Sequence, residues 1–387
     1  MLCLAFAVGG CGGAPILANE PIVFPSPARA TKPPPRPLDP IAIELPRDDG
    51  PHDRLTEWWY YTGHLRSLAD GRRFGFEAVV FRAERGGVPI AWASHLALTD
   101  EQGNAFHYAQ RSEIGSQVDH SPRDAASVPT GFDLQVSGLN PDLIAAGAPP
   151  LAAPWQLAGS GGTDRIRAGL AAEEATAAGA DFGLTLDLRA LKPPALHNGD
   201  GFVDFGPAGS SYYYSRTRLG AVGQVTLDGQ TLQVEGIAWF DHQWGDFIGV
   251  GAGGWNWFAI SLDDGTDITV SQVLDERSNI VLTYGTLVAK DGTVRHLTEG
   301  EILARATTTN FWLSPHTGLN WAGNWEVDID TYVLRLRPTV ADQELDTRAT
   351  TGVVYWEGSQ VVTDQSAGST VGGEAYVEIT RYDATRT

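Results

Sequence analysis

Along most of this chain apolar and polar residues alternate with a period of two, the pattern of a strand buried on one face. The clearest case is "FGLTLDLRA" (182–190), where Phe182, Leu184, Leu186 and Leu188 share a face. "EWWYYTGHL" (57–65) and "FGFEAVVFRA" (74–83), separated by the turn signal "LADGRR", read as a hairpin. "PIAWASHLALTD", "AFHYAQRS", "SYYYSRTRL", "GQVTLDGQTLQVEGIAWF", "WNWFAISLDDGTDITVSQVLD", "IVLTYGTLVAKDGTVRHL", "NWEVDIDTYVLRLRP", "GVVYWEGSQVV" and "EAYVEITRY" continue the pattern. Helical periodicity is nearly absent; "AGLAAEEATAAG" (168–179) has helical propensity but poor apolar spacing. Short antiparallel strands joined by Gly/Asp turns predict an all-β sandwich or barrel. A barrel of about eight strands leaves room for one small ligand.

At 387 residues the chain is too long for one ordinary core. A weak internal echo suggests how it divides. "EWWYYTGHLRSLADGRRFGFE" and "WNWFAISLDDGTDITVSQ" both open a strand on paired tryptophans, turn at Asp-Gly and continue into a second strand. Two related barrels follow, with domains expected at 46–215 and 216–387. Ahead of them lie a Pro/Ala-rich stretch at 12–45, read as an extended tether, and an apolar segment at 1–11. Small residues before Cys11 have the form of a lipoprotein signal, although no Lys or Arg precedes the apolar run. The expectation is an extracytoplasmic protein tethered to a membrane through a lipid on Cys11, or otherwise a secreted one.

Composition narrows the chemistry. The 27 Lys/Arg against 47 Asp/Glu give a formal net charge of −20, which repels phosphate backbones and argues against nucleic-acid binding. Both cysteines, Cys3 and Cys11, lie in the leader, so neither a cysteine nucleophile nor Cys-ligated zinc is expected in the body. No Gly-x-Ser-x-Gly elbow, His-Glu-x-x-His motif or nucleotide-binding glycine loop occurs, and no metal or cofactor is expected. The 12 Trp, 11 Tyr and 14 Phe instead point to rigid aromatic walls, whether around a ligand or in a solid core.

Candidate chemistry concentrates in "GIAWFDHQWGDF" (236–247). In one continuous strand Phe240, His242 and Trp244 share a face, while Trp239, Asp241 and Gln243 share the other. We expect His242 and Trp244 to face the ligand, with Asp241 as orienter or acid; a structural cluster at a strand end is the bland alternative. In "EWWYYTGHL" the face carrying Trp58, Tyr60, Thr62 and His64 is an aromatic wall expected to line a substrate pocket together with His95. Glu57, on the opposite face, is expected to form a barrel-closing ion pair with Arg216 or Arg218, since a buried acid needs a partner. Tyr213 points away from Tyr212 and Tyr214 and is expected to bind substrate, and Trp255 and Trp257 share a face as pocket lining or barrel plug.

Taken together, "EWWYYTGHL", "DGRRFGFE", "SYYYSRTRL", "GIAWFDHQWGDF", "WNWFAISLDDG", "YWEG" and "AYVEITRY" resemble the AttH-like/carotenoid 1,2-hydratase family over roughly residues 50–385. The resemblance implies two consecutive lipocalin-like barrels and apolar substrates. It also implies chemistry such as hydration of a terminal double bond of an acyclic carotenoid, or cycloaddition as in fungal relatives. In the hydratases the residues matching His242 and Trp244 are implicated in activity. Where they carry a further Tyr–Asp pair this chain has "ITVSQVLDE", with Ser271, Gln272 and Asp275. Acid-assisted hydration, isomerisation or cyclisation of a long unsaturated apolar molecule is therefore expected; the alternative is a non-catalytic lipid or pigment carrier.

Overall fold

The computed structural model describes residues 39–138, 153–247, 253–307, 311–366 and 368–381. The segment expected to be a leader, with Cys3 and Cys11, and most of the expected tether lie outside these residues. Within them the chain forms two large antiparallel sheets, each curled into a nearly closed barrel. In the first sheet the order runs outward from strand Thr56–Ser67, which pairs with Arg73–Ala83 on one side and Gln230–Gly245 on the other. Ala91–Asp100 and Ser210–Leu227 come next on either side. In the second sheet Gly254–Leu262 pairs with Asp267–Leu274 and Gly372–Arg381, and Val354–Asp364 lies beyond the latter.

The alternating residues fill the barrels as the pattern requires. Phe182, Leu184, Leu186 and Leu188 join Trp59, Tyr61, Phe74, Phe76 and Phe132 in the first core. Phe258, Ile260, Leu334, Leu336, Trp356 and Val377 belong to the second. A helix does form at Ala172–Ala178 and ends at Gly179, whose φ of +72° suits glycine.

The division of the chain differs from the one expected. Strands Ser210–Leu227 and Gln230–Gly245 both belong to the first sheet, so the boundary falls between Gly245 and Gly254 rather than at 215/216. The reason is the turn at Asp228 and Gly229, both at positive φ (48° and 77°), which folds these strands into one long hairpin. The returning strand then pairs with the first strand of the barrel. Part of the expected tether is also docked. Tyr212 donates to Asp39 Oδ1 at 2.7 Å, Arg54 pairs with Asp39 at 2.7 Å, and Ile43 and Leu45 pack on the first core.

A third apolar cluster lies outside both cores. Tyr60, Val79, Phe81, Ala97, Trp239, Trp257, Tyr355 and Tyr376 come from both sheets and bury the outer face of one barrel against that of the other. Strands at this seam therefore hide both faces from water, which explains why "EWWYYTGHL" is aromatic throughout. Asp267 of the second barrel cross-links the seam, meeting Arg218 and Lys192 each at 2.7 Å.

Candidate functional site between the barrels

Strand Gln230–Gly245 separates two environments. Phe240, His242 and Trp244 point into the first barrel, where Trp59, Phe132 and Tyr214 surround them. His242 is fully buried, and its Nε2 lies 2.9 Å from Glu57 Oε1. Glu57 Oε1 is also 2.7 Å from His52 Nδ1, and the His52 backbone N–H donates to Glu57 Oε2 at 3.0 Å. The His52 ring lies flat on Trp244, with centroids 4.0 Å apart and planes 2° apart. Burial pushes Glu57 up, but the positive His52 and hydrogen bonds from His242 and His52 outweigh it and hold the carboxyl at about 2. The His52 imidazole is raised against its own burial, chiefly by Glu57.

Two expectations are corrected here. His242 and Trp244 do not line the seam cavity; they point into the lumen, among the buried side chains of the first core. Glu57 pairs with neither Arg216 nor Arg218: Arg216 meets Asp49 at 2.6 Å inside the barrel, and Arg218 meets Asp267 across the seam. The partner of Glu57 is instead supplied by His52, just before the strand, and by His242. The ligating atoms of His52, Glu57 and His242 lie within 4.8 Å of one another, close enough to consider a metal. However, His242 Nδ1 is buried without a partner. A metal-bound histidine normally donates its other N–H to an acceptor, so the geometry suits a hydrogen-bonded charge latch better than a metal centre.

The opposite face of the same strand looks onto the seam. There Trp58, Tyr60, His95, Tyr213, Trp255 and Trp257 enclose a cavity of about 90 Å³ together with Asp241, Gln243 and Glu378. Six of the seven residues expected to bind substrate thus come together. The seventh, His64, does not line this cavity; its Nε2 is 3.2 Å from the Ala375 carbonyl and its ring lies against Tyr376. Period-two spacing placed His64 on the correct face, but the barrels close together before the cavity reaches it.

Asp241 is 3% exposed and accepts hydrogen bonds from the Tyr213 hydroxyl (2.5 Å), the Trp239 indole (2.7 Å) and Ser215 Oγ. Burial lifts its carboxyl and these donors restrain the rise, leaving it at about 6. Behind it, His197 Nε2 is 2.7 Å from Ser215 Oγ and His197 Nδ1 is 2.9 Å from Thr286 Oγ1 of the second barrel. Burial drives His197 down to about 3, so it is neutral and serves as a spacer in a hydrogen-bonded chain. Trp257 donates to the Tyr213 hydroxyl at 3.1 Å, tying the second barrel to the same group.

Glu378, from strand Gly372–Arg381, reaches the cavity from the other barrel and was not singled out from the sequence. It accepts from the Trp255 indole at 2.8 Å and from Thr380 Oγ1, and burial raises it to about 7. A third acid, Glu77, accepts from the Tyr355 hydroxyl at 2.7 Å, and His95 Nδ1 is 2.7 Å from that same hydroxyl. A partial signal for such acids was present: Glu77, Glu357 and Glu378 each follow directly on apolar or aromatic residues in "FGFE", "YWEG" and "AYVE". An acid in such a place is expensive unless partnered or protonated.

The matching sequence family bears directly on this arrangement. The profile described as AttH-like covers residues 36–382. The chain belongs to the AttH-like family. A solved structure of a putative AttH from Nitrosomonas europaea is 27% identical, covers 89% of this chain and 98% of that one, and superposes with a TM-score of 0.71. Kievitone hydratase from Nectria haematococca is 16% identical over 88% of this chain and 94% of that one, with a TM-score of 0.61. CghA is 10% identical over 84% and 88%, with a TM-score of 0.52. At such identities these last two share the fold. A 55-residue stretch is also 46% identical to hydroxyethylthiazole kinase of Clavibacter sepedonicus, covering 14% of this chain and only 20% of that protein.

Proposed function

We propose that this AttH-like protein is an enzyme that protonates a carbon–carbon double bond of an apolar unsaturated small molecule held in the seam cavity. Water then adds to the resulting cation, or a second double bond closes a ring on it. One observation carries the reading: two buried carboxyls, Asp241 and Glu378, enter a single aromatic cavity from different barrels. Their environments set them at about 6 and about 7, on either side of the range where one is charged and the other protonated.

Glu378, the weaker acid, is assigned as proton donor to carbon. Asp241, held ionised by three donors, faces the positive charge that develops on the neighbouring carbon. The ring faces of Trp257, Trp58 and Tyr60 also attract a cation, by about 2 kcal/mol or more when water is excluded. In hydration a water oxygen bonds to the cationic carbon and its released proton passes to Asp241. In cyclisation the second double bond supplies the electron pair, and Asp241 takes the proton lost from carbon. Return of that proton to Glu378 resets the site. His242 and Trp244 act from the other face by fixing the strand that carries Asp241. The hydratase name of one structural neighbour supports the reaction class, without specifying a substrate.

The test is incubation with a panel of acyclic polyenes and terpenoids, read by chromatography and mass spectrometry. Wild type should return a product heavier by one water, or an isomer of equal mass. Asp241→Asn and Glu378→Gln should bind the same compound and leave it unchanged. Binding without conversion by wild type across the panel would replace this reading with that of a carrier. We also infer that a lipid on Cys11 anchors the protein to a membrane; labelling of wild type but not Cys11→Ser with a radioactive fatty acid checks it.

A further inference from the structure

The seam holds more acid than this reaction uses. Glu357 and Glu378 stand directly opposite each other on adjacent antiparallel strands, a placement in which like charges repel. Glu77 reaches the same region from the first barrel. Both carboxylate oxygens of Glu357, Glu77 Oε2 and the Tyr60 hydroxyl are buried with no hydrogen-bond partner. With Asp241 this makes four carboxyls, each 9% exposed or less. Among the described residues none of them has an ion-pair partner, in contrast to the lumen acids Asp49 and Glu57. Nor do they bring three oxygens within 4.8 Å of one another, as a small metal ion would require.

A different counter-charge fits the walls. The lining sets the rings of Trp58, Tyr60, Trp255, Trp257 and Tyr284 around the exits of Asp241 and Glu378. Aromatic faces with carboxylates behind them are the surroundings in which an organic ammonium is most stable. We propose that the cavity binds an apolar organic cation, a tertiary amine or quaternary ammonium carried on an aromatic or hydrocarbon body. Asp241 and Glu378 supply its counter-charge. The inference rests on the cavity being the ligand site; a stable ammonium is the lasting counterpart of the transient carbocation.

The groups facing this position set its pH dependence. Asp241 and Glu378 lie at about 6 and 7, Glu77 at about 8, and Glu357 is raised well above its ordinary value, all chiefly by burial. His95 is pushed down to about 3 by burial and is neutral, and the hydroxyls of Tyr60, Tyr213 and Tyr355 are raised and stay protonated. Tyr284 sits at about 12 for the same reason. Arg85, the one lysine or arginine among the described residues of the lining, donates to the backbone carbonyls of Leu55 and Glu84. The net change from pH 5 to pH 8 is therefore an increase in negative charge around the cavity.

Phenyltrimethylammonium and tert-butylbenzene, which have the same shape with and without charge, make the test. Their binding to the full chain is followed by tryptophan fluorescence and calorimetry. The ammonium should bind at least tenfold more tightly than the hydrocarbon at pH 8, and its affinity should fall about tenfold by pH 5 while the hydrocarbon's holds. Asp241→Asn and Glu378→Gln, checked for folding by circular dichroism, should weaken the ammonium alone. Equal or weaker binding of the ammonium at pH 8 overturns the inference but leaves an apolar ligand site. Failure of both probes to bind overturns the inference and the cavity reading together. The wild-type pH series decides the matter even where a variant does not fold.

Discussion

The lumen of the first barrel and the seam between the barrels share strands yet partner most of their acids differently, with Asp164, raised by burial to about 7 and bonded to the Tyr61 hydroxyl, as the lumen's exception. In the lumen Glu57 is matched by His52 and His242, and Asp49 by Arg216. In the seam Glu77, Glu357 and Glu378 crowd one another, with tyrosine, tryptophan and threonine as their polar neighbours. A fold selected for stability alone would fill such a seam with apolar side chains, since unpaired buried acids weaken it. The lumen shows how this chain handles charge when the task is holding a barrel together. Against that standard the seam is the place where charge is kept for another purpose.

Substitutions on the two sides should move stability in opposite directions. The largest effect is expected for Glu57→Ala, which strands His52 and His242 in the lumen: about 3–5 kcal/mol of stability lost, read by urea unfolding at pH 7. Because the folded Glu57 lies near 2, below its ordinary 4.5, its contribution is present above pH 4.5 and disappears as pH falls toward 2. The difference between wild type and Glu57→Ala should shrink over that window. A loss confined to activity, with unchanged unfolding, would break the comparison from the lumen side.

Glu357→Gln should do the reverse. The folded Glu357 is raised, so wild-type stability is full below pH 4.5 and declines as pH climbs toward the folded value. The amide removes that decline, and stability should rise by about 1–3 kcal/mol at pH 8 with little change at pH 4. Destabilisation at pH 8 would mean that the carboxylate has a role in holding the seam.

His242→Ala sharpens the contrast further. It should lower stability by about 1–3 kcal/mol by leaving Glu57 short of a donor, while affinity for the seam-cavity probes stays within about twofold of wild type. A large loss of binding with intact stability would return His242 to the ligand site. Tyr213→Phe acts on titration rather than on stability, since it removes one of the donors holding Asp241 ionised. A hydrogen bond to a charged group is worth roughly 1.5–3 kcal/mol, or about one to two pH units. The acidic limb of the activity profile should therefore move upward by about one unit, with its alkaline limb, set chiefly by the burial of Glu378, moving less.

Much of this was legible along the chain. The alternation in "FGLTLDLRA" specified which residues fill the lumen, and the two faces of residues 239–244 were separable by parity alone. Parity says that two faces exist without saying which one a ligand meets. Residue types argued for the His242 face, since imidazole and indole together suit proton transfer. The structure gives the cavity to Asp241, while His242 points into the lumen among the buried side chains of the first core. Glu57 shows a second limit: its need for a partner was evident, but His52 is folded against it by the chain before the strand, a contact no strand pattern encodes.

The strands, their two faces, the pair of barrels and the family could be read along the chain, because each follows from local period and short motifs. The barrel boundary beyond Gly245, the cavity that Glu378 shares with Asp241, and the place of His242 in a latch emerge from the packing of the folded chain. These depend on how two curved sheets meet: strand pairing acts between residues far apart in sequence, and the space left between two packed surfaces is a property of neither alone.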